Sequence, residues 1–160
     1  MAMTAKIDGM EEISEMLTRL EEEAPKAAAA GLYDGAGVMA KEIEKGLSGI
    51  KTAPFKYASR GGMRAPSPEE KEALRGAIGV AKFDRNGTEV NTSVGFGNSG
   101  YADVAGKQKA VAQVANAINS GTSFMTKQPF FRRGASAGAK AAEAAIIKTI
   151  EQRLDEKNLK

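Results

Sequence analysis

The chain has 160 residues, which fits one domain, because two halves would each fall below the usual size for a self-sufficient core. It contains no Cys and no His, which excludes disulfides, thiol nucleophiles, Ser-His-Asp triads and zinc sites built on these residues. The net charge of +3 is unevenly spread, at −5 over residues 1–50, +3 over 51–100 and +5 over 101–160, which suits head-to-tail packing of subunits or a face turned toward a polyanion.

The first third of the chain predicts a short strand followed by two helices. Residues 3–8 can form the strand. Residues 9–23 then place apolar side chains at helical spacing, in one stripe of Met10, Ile13, Met16, Leu17 and Leu20. Pro25 is expected to end this helix and to begin a second one over residues 25–47. The second helix has its own apolar face and three glycines, which either weaken it or permit close helix packing: Leu32, Ala36, Met39, Ile43 and Leu47, with Gly31, Gly35 and Gly37.

Residues 48–66 predict a long loop, because Gly, Pro and Ser interrupt every regular pattern there. It is basic, with Lys51, Lys56, Arg60 and Arg64, and the aromatic residues Phe55 and Tyr57 lie among these cations. A loop of this length in a compact domain is usually functional or disordered. It suits contact with nucleic acid, or ordering against a partner subunit, and the second interpretation is favoured.

The middle of the chain predicts a short helix and a β-hairpin. Ser67-Pro68-Glu69-Glu70 has the pattern of a helix start, and that helix should end near Gly76. Alternating apolar residues on both sides of residues 84–87, which contain Asn-Gly, predict a hairpin over residues 76–96 with its turn at 84–87.

The last third predicts two helices with a connector between them. Residues 101–119 are Ala-rich and compatible with a helix, residues 120–133 form the connector, and a final helix runs over residues 135–156. Its apolar stripe is Ala142, Ile146, Ile150 and Leu154. The sequence therefore predicts a single α+β domain, with a small antiparallel sheet that has a central hairpin and packs against two long N-terminal helices and a C-terminal helix.

A G-x-G-x-x-G pattern at residues 95–100 follows a predicted strand. A dinucleotide site also needs a βαβ unit and an acidic residue about 20 positions later. Residues 117–120 read Ala-Ile-Asn-Ser, and only about 60 residues remain for the rest of such a fold. We therefore favour a flexible strand exit and expect no cofactor, no metal site, no catalytic residues and no enzymatic activity.

The connector is the most informative segment. Gly121 and Thr122 belong to a flexible polar turn, and Gln128-Pro129 fixes an extended approach to the final helix. Phe130 and Phe131 follow, and then Arg132 and Arg133. One ring can anchor the core while the loop and the arginines face another subunit, because aromatic residues and Arg are enriched in interface cores.

These motifs resemble one known family, the small tail-completion or head-tail joining (neck) proteins of lambda-like long-tailed bacteriophages. The resemblance covers nearly the whole chain in the right order, and its most specific part is the last motif. The matching stretches are Ile7-Asp8-Gly9-Met10-Glu11-Glu12-Ile13, Leu74-Arg75-Gly76-Ala77-Ile78-Gly79-Val80, Thr92-Ser93-Val94-Gly95-Phe96, Tyr101-Ala102-Asp103-Val104 and Gly-Thr-Ser through Pro129-Phe130-Phe131-Arg132 to Ala135.

The resemblance implies a structural virion protein that completes the tail or joins it to the filled head. Such proteins assemble as a ring of copies, often six, around the DNA channel, beside tail-terminator and head-closure or connector proteins. The subunit-interface candidates are then Phe55, Tyr57, Gly121, Thr122, Gln128, Pro129, Phe130, Phe131, Arg132 and Arg133. The candidates to face DNA or the channel lumen are Lys56, Arg60, Arg64, Lys107 and Lys109.

A small nucleic-acid-binding module that uses its basic loop is the alternative function. In either case no apolar run approaches the length of a membrane span, and charged residues interrupt the N-terminus where a signal peptide would be apolar. We therefore expect no membrane contact, and a protein made in a host cytoplasm and used there or in the virion.

Overall fold

The computed structural model describes residues 10–57, 61–86, 89–97, 100–104 and 106–157. These residues combine helices with antiparallel strands, which confirms the predicted α+β class. The predicted opening strand over residues 3–8 lies outside the described residues. The helices are α1 (Met10–Ser48), α2 (Pro68–Ala77), α3 (Val111–Ser120) and α4 (Phe130–Glu156), and the strands are β1 (Ile78–Val80), β2 (Asp84–Asn86), β3 (Glu89–Asn91), β4 (Val94–Phe96), β5 (Tyr101–Val104) and β6 (Lys107–Ala110).

The two predicted N-terminal helices form one continuous helix of 39 residues, so the predicted break at Pro25 is wrong. A proline inside a helix removes one backbone hydrogen bond, but strong helix formers surround this one. Lys26 Nζ also donates a hydrogen bond to Glu23 Oε1 (2.8 Å) across the same turn. Local helix propensity therefore carries α1 through the proline, and this exposed ion pair adds at most about 0.5 kcal/mol.

Helices α1 and α4 lie antiparallel against each other, and glycines permit their close approach. A Cβ atom on Gly134 would lie 2.5 Å from Ile43 Cα, and one on Gly46 would lie 2.7 Å from the Phe130 carbonyl oxygen. Further along, Gly35 faces Ile146 and Gly31 faces Ile150. Close packing was one of the two interpretations of these α1 glycines, and it holds for Gly31 and Gly35 but not for Gly37, which has no neighbour within 4 Å.

The core lies at the C-terminal end of α1, where α2, α3, β5 and the start of α4 meet. Ile43 and Leu47 supply it from the predicted face of α1, and both are fully buried. Its other members are Ile50, Leu74, Ala102, Val104, Val111, Val114, Ala115, Ile118, Met125 and Phe130. No ring larger than Phe is available for this core, since the chain contains no Trp.

The predicted hairpin is present as a long ribbon. Strand β1 pairs antiparallel with β4, and β2 pairs with β3. Asp84–Asn86 form a strand, so the turn does not occupy residues 84–87 as predicted; Asn86 pairs with Glu89, and residues 87–88 between them lie outside the described residues.

Residues 101–110 form a second hairpin, β5 and β6, where a helix was predicted. Alternate residues of β5 are buried, Ala102 and Val104, so the burial has the period of a strand. The turn is stabilised at Gly106, whose φ of 76° favours glycine, and Gly106 N–H donates to Asp103 Oδ1 (2.7 Å). The alanine content of this segment favours a helix, but the strand conformation is the one that places both Ala102 and Val104 in the core.

We expect Gly134→Ala to destabilise the protein by about 1–3 kcal/mol, because the new methyl group meets backbone atoms of α1 that cannot move independently. Gly37→Ala is the matched control, since it adds the same methyl group to open space and should stabilise α1 by up to about 1 kcal/mol. Urea denaturation followed by circular dichroism measures both. Equal effects of the two substitutions would contradict close packing at Gly134.

Candidate functional site

The basic loop and the connector, which are far apart in sequence, lie side by side at the C-terminal end of α1. Arg64 N–H donates to the Phe124 carbonyl oxygen (2.9 Å), and Thr126 N–H donates to the Arg64 carbonyl oxygen (2.9 Å). The Gln128 side chain accepts from Lys51 N–H (2.7 Å) and donates to the Lys51 carbonyl oxygen (2.8 Å). These bonds place most of the predicted site residues at one end of the molecule.

Gly121 and Thr122 shape the connector from within. Gly121 has a φ of 78°, and Thr122 Oγ1 accepts hydrogen bonds from Phe124 N–H (3.3 Å) and Met125 N–H (3.0 Å). Met125 is buried in the core as a result. The flexible polar turn expected here is therefore a hydrogen-bonded turn that holds the connector against the domain.

The paired phenylalanines divide between the core and its edge. Phe130 is buried and meets Phe96 edge to face, with ring centroids 6.0 Å apart. Phe131 is half-buried and lies 6.1 Å from the same ring. Both belong to α4, which begins at Phe130, five residues earlier than the sequence predicts, because its first turn packs against the end of α1.

Arg132 and Arg133 therefore lie in the first turn of α4, and both side chains are exposed. A helix N-terminus carries partial positive charge, so cations in this turn are unfavourable for the helix itself. The helix has no acidic residue in its first turn to offset them. These arginines have no local stabilising role through the helix dipole.

Arg64 has a partner within the chain. Its guanidinium donates to Glu70 Oε1 (2.6 Å) and Oε2 (2.7 Å) and lies 4.7 Å from the centre of the Phe55 ring. Glu70 is 1% exposed and also accepts from Ser67 N–H (2.7 Å), which completes a capping box at the start of α2. The charge of Arg64 is thus neutralised by Glu70, although its side chain lines the site.

The neighbouring Glu69 is also held as a carboxylate at this helix start. Hydrogen bonds from its own backbone N–H and from the Ser67 side chain lower the pKa of Glu69. Together with Glu70, it provides negative charge in the first turn of α2, where the helix dipole favours it. The sequence pattern of residues 67–70 therefore performs its predicted structural role.

A hollow of about 250 Å³ opens beside Arg64, and we call it the basic hollow. It combines aromatic rings with cations, and its lining residues include no carboxylate: Phe55, Tyr57, Arg64, Val104, Lys107, Lys109 and Phe124. The rings of Phe55 and Tyr57 meet edge to face at 5.1 Å. Lys56 is exposed between these two rings in sequence, and Arg60 lies outside the described residues.

The β5–β6 hairpin brings Lys107 and Lys109 to this hollow. They pair with the buried Val104 and Ala102, so they share the face of the hairpin that points toward the domain. Phe124 completes the wall, although it is not among the site residues that the sequence predicts. Its proximity follows from the pairing of the connector with the loop, which no local pattern reveals.

A second, larger hollow of about 560 Å³ lies beside the paired segments, with Ala65 from the loop and Thr126 from the connector in its wall. Four cations line it without a carboxylate among the lining residues: Lys45, Lys51, Lys127 and Arg133. Predicted interface residues Gln128, Pro129 and Phe130 form part of its wall. Both hollows therefore combine cations with accessible apolar side chains. A third hollow beside the basic hollow shares Arg64, Lys109 and Phe124 with it and is lined by Glu70.

Cations beside exposed aromatic rings can bind an anionic or apolar partner at this end of the molecule. Within the described part of the chain, no three acidic side chains come together in a way that could hold a metal ion. The G-x-G-x-x-G pattern ends strand β4 and is followed by strand β5 instead of a helix, so it lacks the helix N-terminus that a dinucleotide phosphate requires. Across the described residues, no helix combines the length and apolar character needed to cross a membrane.

Comparison of the chain with protein-family models, with curated protein sequences and with solved structures gives no match.

Glu70→Ala should destabilise the protein by about 3–5 kcal/mol, because it leaves the mostly buried Arg64 guanidinium without its carboxylate. The control is Glu72→Ala, which removes an exposed partner of Arg75 on the same helix and should cost at most about 1 kcal/mol. Thermal or urea unfolding distinguishes the two. A small effect at Glu70 would show that the ion pair does not organise the site.

Proposed function

We propose that this chain is a structural virion protein that acts at the head-tail junction of a long-tailed bacteriophage. In this role it completes the tail or joins it to the head, and several copies form a ring around the DNA channel. The proposal is supported above all by one observation. Residues of the loop and the connector converge on one exposed end of the domain, where aromatic rings and cations form two open hollows without lining carboxylates.

This end has the composition of a protein-binding surface. Tyr57 and Phe124 are exposed, although large aromatic side chains usually gain free energy by burial. Arg132 and Arg133 occupy a helix turn that they disfavour electrostatically, so a role outside the domain accounts for them better than a local one. Aromatic and Arg side chains together are typical of the parts of interfaces that contribute most to affinity.

The resemblance of the motifs to neck and tail-completion proteins supplies the biological setting of this surface. In that setting the partners are further copies of the chain, tail-terminator proteins and head-closure or connector proteins. The lysines of the basic hollow, with Lys56, would then face either the packaged DNA or an acidic neighbouring subunit. Assembly by binding requires no reacting group, in keeping with a chain that has neither Cys nor His.

Electron microscopy of lysates from a phage that lacks this gene tests the proposal. We expect filled heads to accumulate apart from tails, or tails with abnormal ends, and the wild-type gene supplied in trans should restore joined particles. Joined, infectious particles in the absence of the gene would refute the proposed role.

Variants supplied in trans locate the function on the surface. The double variant Arg132→Glu with Arg133→Glu should lower the infectious titre by at least about tenfold, since an interface arginine can contribute about 2 kcal/mol. The double variant Lys140→Glu with Lys148→Glu makes the same charge change at exposed positions further along α4 and should leave the titre unchanged. Equal titres for both variants would show that these arginines do not contribute to the interface.

The alternative, a nucleic-acid-binding module, is favoured by the same clusters of cations. The salt dependence of DNA binding by the isolated chain separates the two functions. If only Lys56, Lys107 and Lys109 meet phosphates, the slope of log affinity against log salt should be no steeper than about −3, and binding should be weak. Tight binding with a slope of about −6 or steeper would favour the alternative.

A further inference from the structure

Helix α1 extends past the end of α4. The two helices run antiparallel, with Gly31 against Ile150, and α4 ends at Glu156. The charges of Arg153 and Lys157 act on Glu23, so the end of α4 lies beside that residue. Residues 10–22, which we call the overhang, therefore project beyond α4 over about 20 Å, at 1.5 Å per residue.

Within the part of the chain that the structure describes, the overhang has an apolar stripe without a partner. Ile13, Met16 and Leu17 are 53%, 44% and 60% exposed, and Leu20 is half-buried. These are the residues that the sequence places on one helical face. An isolated helix of this length is marginal in water, and a covered stripe would stabilise it.

The overhang is also acidic. It contains five glutamates and one arginine, a net charge of −4. Just beyond it, the hydrogen bond from Lys26 lowers the pKa of Glu23, which keeps that carboxylate ionised to lower pH. A partner for this segment therefore needs accessible apolar side chains surrounded by positive charge.

The opposite end of the same molecule offers that chemistry. The basic hollow exposes Tyr57 and Phe124 beside Lys107 and Lys109. The overhang cannot reach the hollow of its own chain, because Leu17 and Leu47 are separated by about 45 Å along α1. Pairing of two overhangs would place like charges together, and a polyanion or an anionic membrane surface would repel the segment.

We propose that the overhang of one copy docks on the basic hollow of the next copy, with its apolar stripe against Tyr57 and Phe124 and the flanking Glu21 near Lys107 and Lys109. The contact between two copies is independent of the proposed function. Only the closure of successive contacts into a ring rests on that function. A contact between two different surfaces repeats from copy to copy, and it closes into a ring when the rotation between copies permits.

Cross-linking tests this contact without background, because the natural chain contains no Cys. Ser14→Cys places a thiol beside Ile13 in the overhang, and Ser123→Cys places one beside Phe124; both serines are exposed. A short bis-maleimide added to a mixture of the two single variants should trap mixed dimers, even when the association is weak. Ala144→Cys, at an exposed position of α4 outside both surfaces, is the control and should give no dimer with either variant.

The charges are tested by exchange. Glu21 lies about 90° from the centre of the stripe and therefore flanks it. Glu21→Lys in the Ser14→Cys chain should lower the yield of mixed dimer severalfold, and Lys107→Glu with Lys109→Glu in the Ser123→Cys chain should do the same. Combining the two reversed chains should restore the yield. Loss without restoration would mean that the charges do not face each other and would overturn the proposed pairing.

Other outcomes are equally decisive. Dimers formed by Ser14→Cys alone would show that overhangs pair with each other, and the absence of dimers in every mixture would show that the overhang does not dock on this hollow. Either result overturns the inference.

If cross-links fail while particles lacking the gene remain unjoined, the proposed function stands and only this contact is wrong. If cross-links form while such particles join normally, the contact stands and the proposed function is wrong.

Discussion

The close approach of α1 and α4 at glycine is the constraint on which the rest of the structure depends. Gly134 meets the backbone of α1 at Ile43, and Gly46 meets the backbone of α4 at Phe130. Because neither position has room for a side chain, the first turns of α4 are fixed against the last turns of α1. Phe130 then enters the core, and the connector that leads to it must run beside the basic loop. The larger hollow is lined by both helix ends at this contact, and the basic hollow needs the β5–β6 hairpin in addition.

The same contact determines the other end of the molecule. The helices are antiparallel and differ in length, 39 residues for α1 and 27 for α4. With the C-terminal end of α1 fixed to the start of α4, the difference in length appears entirely at the N-terminal end of α1. The overhang is thus a consequence of how the helices are joined, and its apolar stripe is a surface that packing among the described residues leaves uncovered.

Local patterns in the sequence predicted the features that depend on neighbouring residues. The capping box at Ser67 and Glu70, the apolar face around Ile43 and the ribbon of β1 and β4 are such features, and all are present. The predictions that proved wrong concern segments whose structure depends on residues distant in the sequence or on the wider surroundings of the segment. Pro25 is tolerated because its surroundings favour helix, and residues 101–110 form a hairpin because the core requires alternating burial of Ala102 and Val104.

The candidate site shows the same division. The cations and aromatic residues of the loop and the connector are recognisable from the sequence, since those residue types favour binding. Their arrangement is not, because Gln128 and Lys51 are 77 positions apart and Arg64 is joined to the connector by backbone pairing. The neutralisation of Arg64 by Glu70 is visible only in the structure, and it leaves the lysines as the charges of the basic hollow that can act on a partner.

A contact of this kind suits assembly on a scaffold. Charges at an exposed interface are screened over about 8 Å at physiological ionic strength, so acidic and basic surfaces guide association more than they strengthen it. The apolar stripe consists of only four described side chains. The area that they can bury is small compared with the roughly 800 Å² per partner of a stable interface. In the proposed role, copies held side by side on a tail end or a head connector would have a high effective concentration for one another, which would convert a weak contact into a stable one. If the proposed contact forms, weak self-association in free solution and a stable ring on the particle would both follow from the same surface. Weak self-association would also keep the chain from forming open filaments before a scaffold defines where a ring should close.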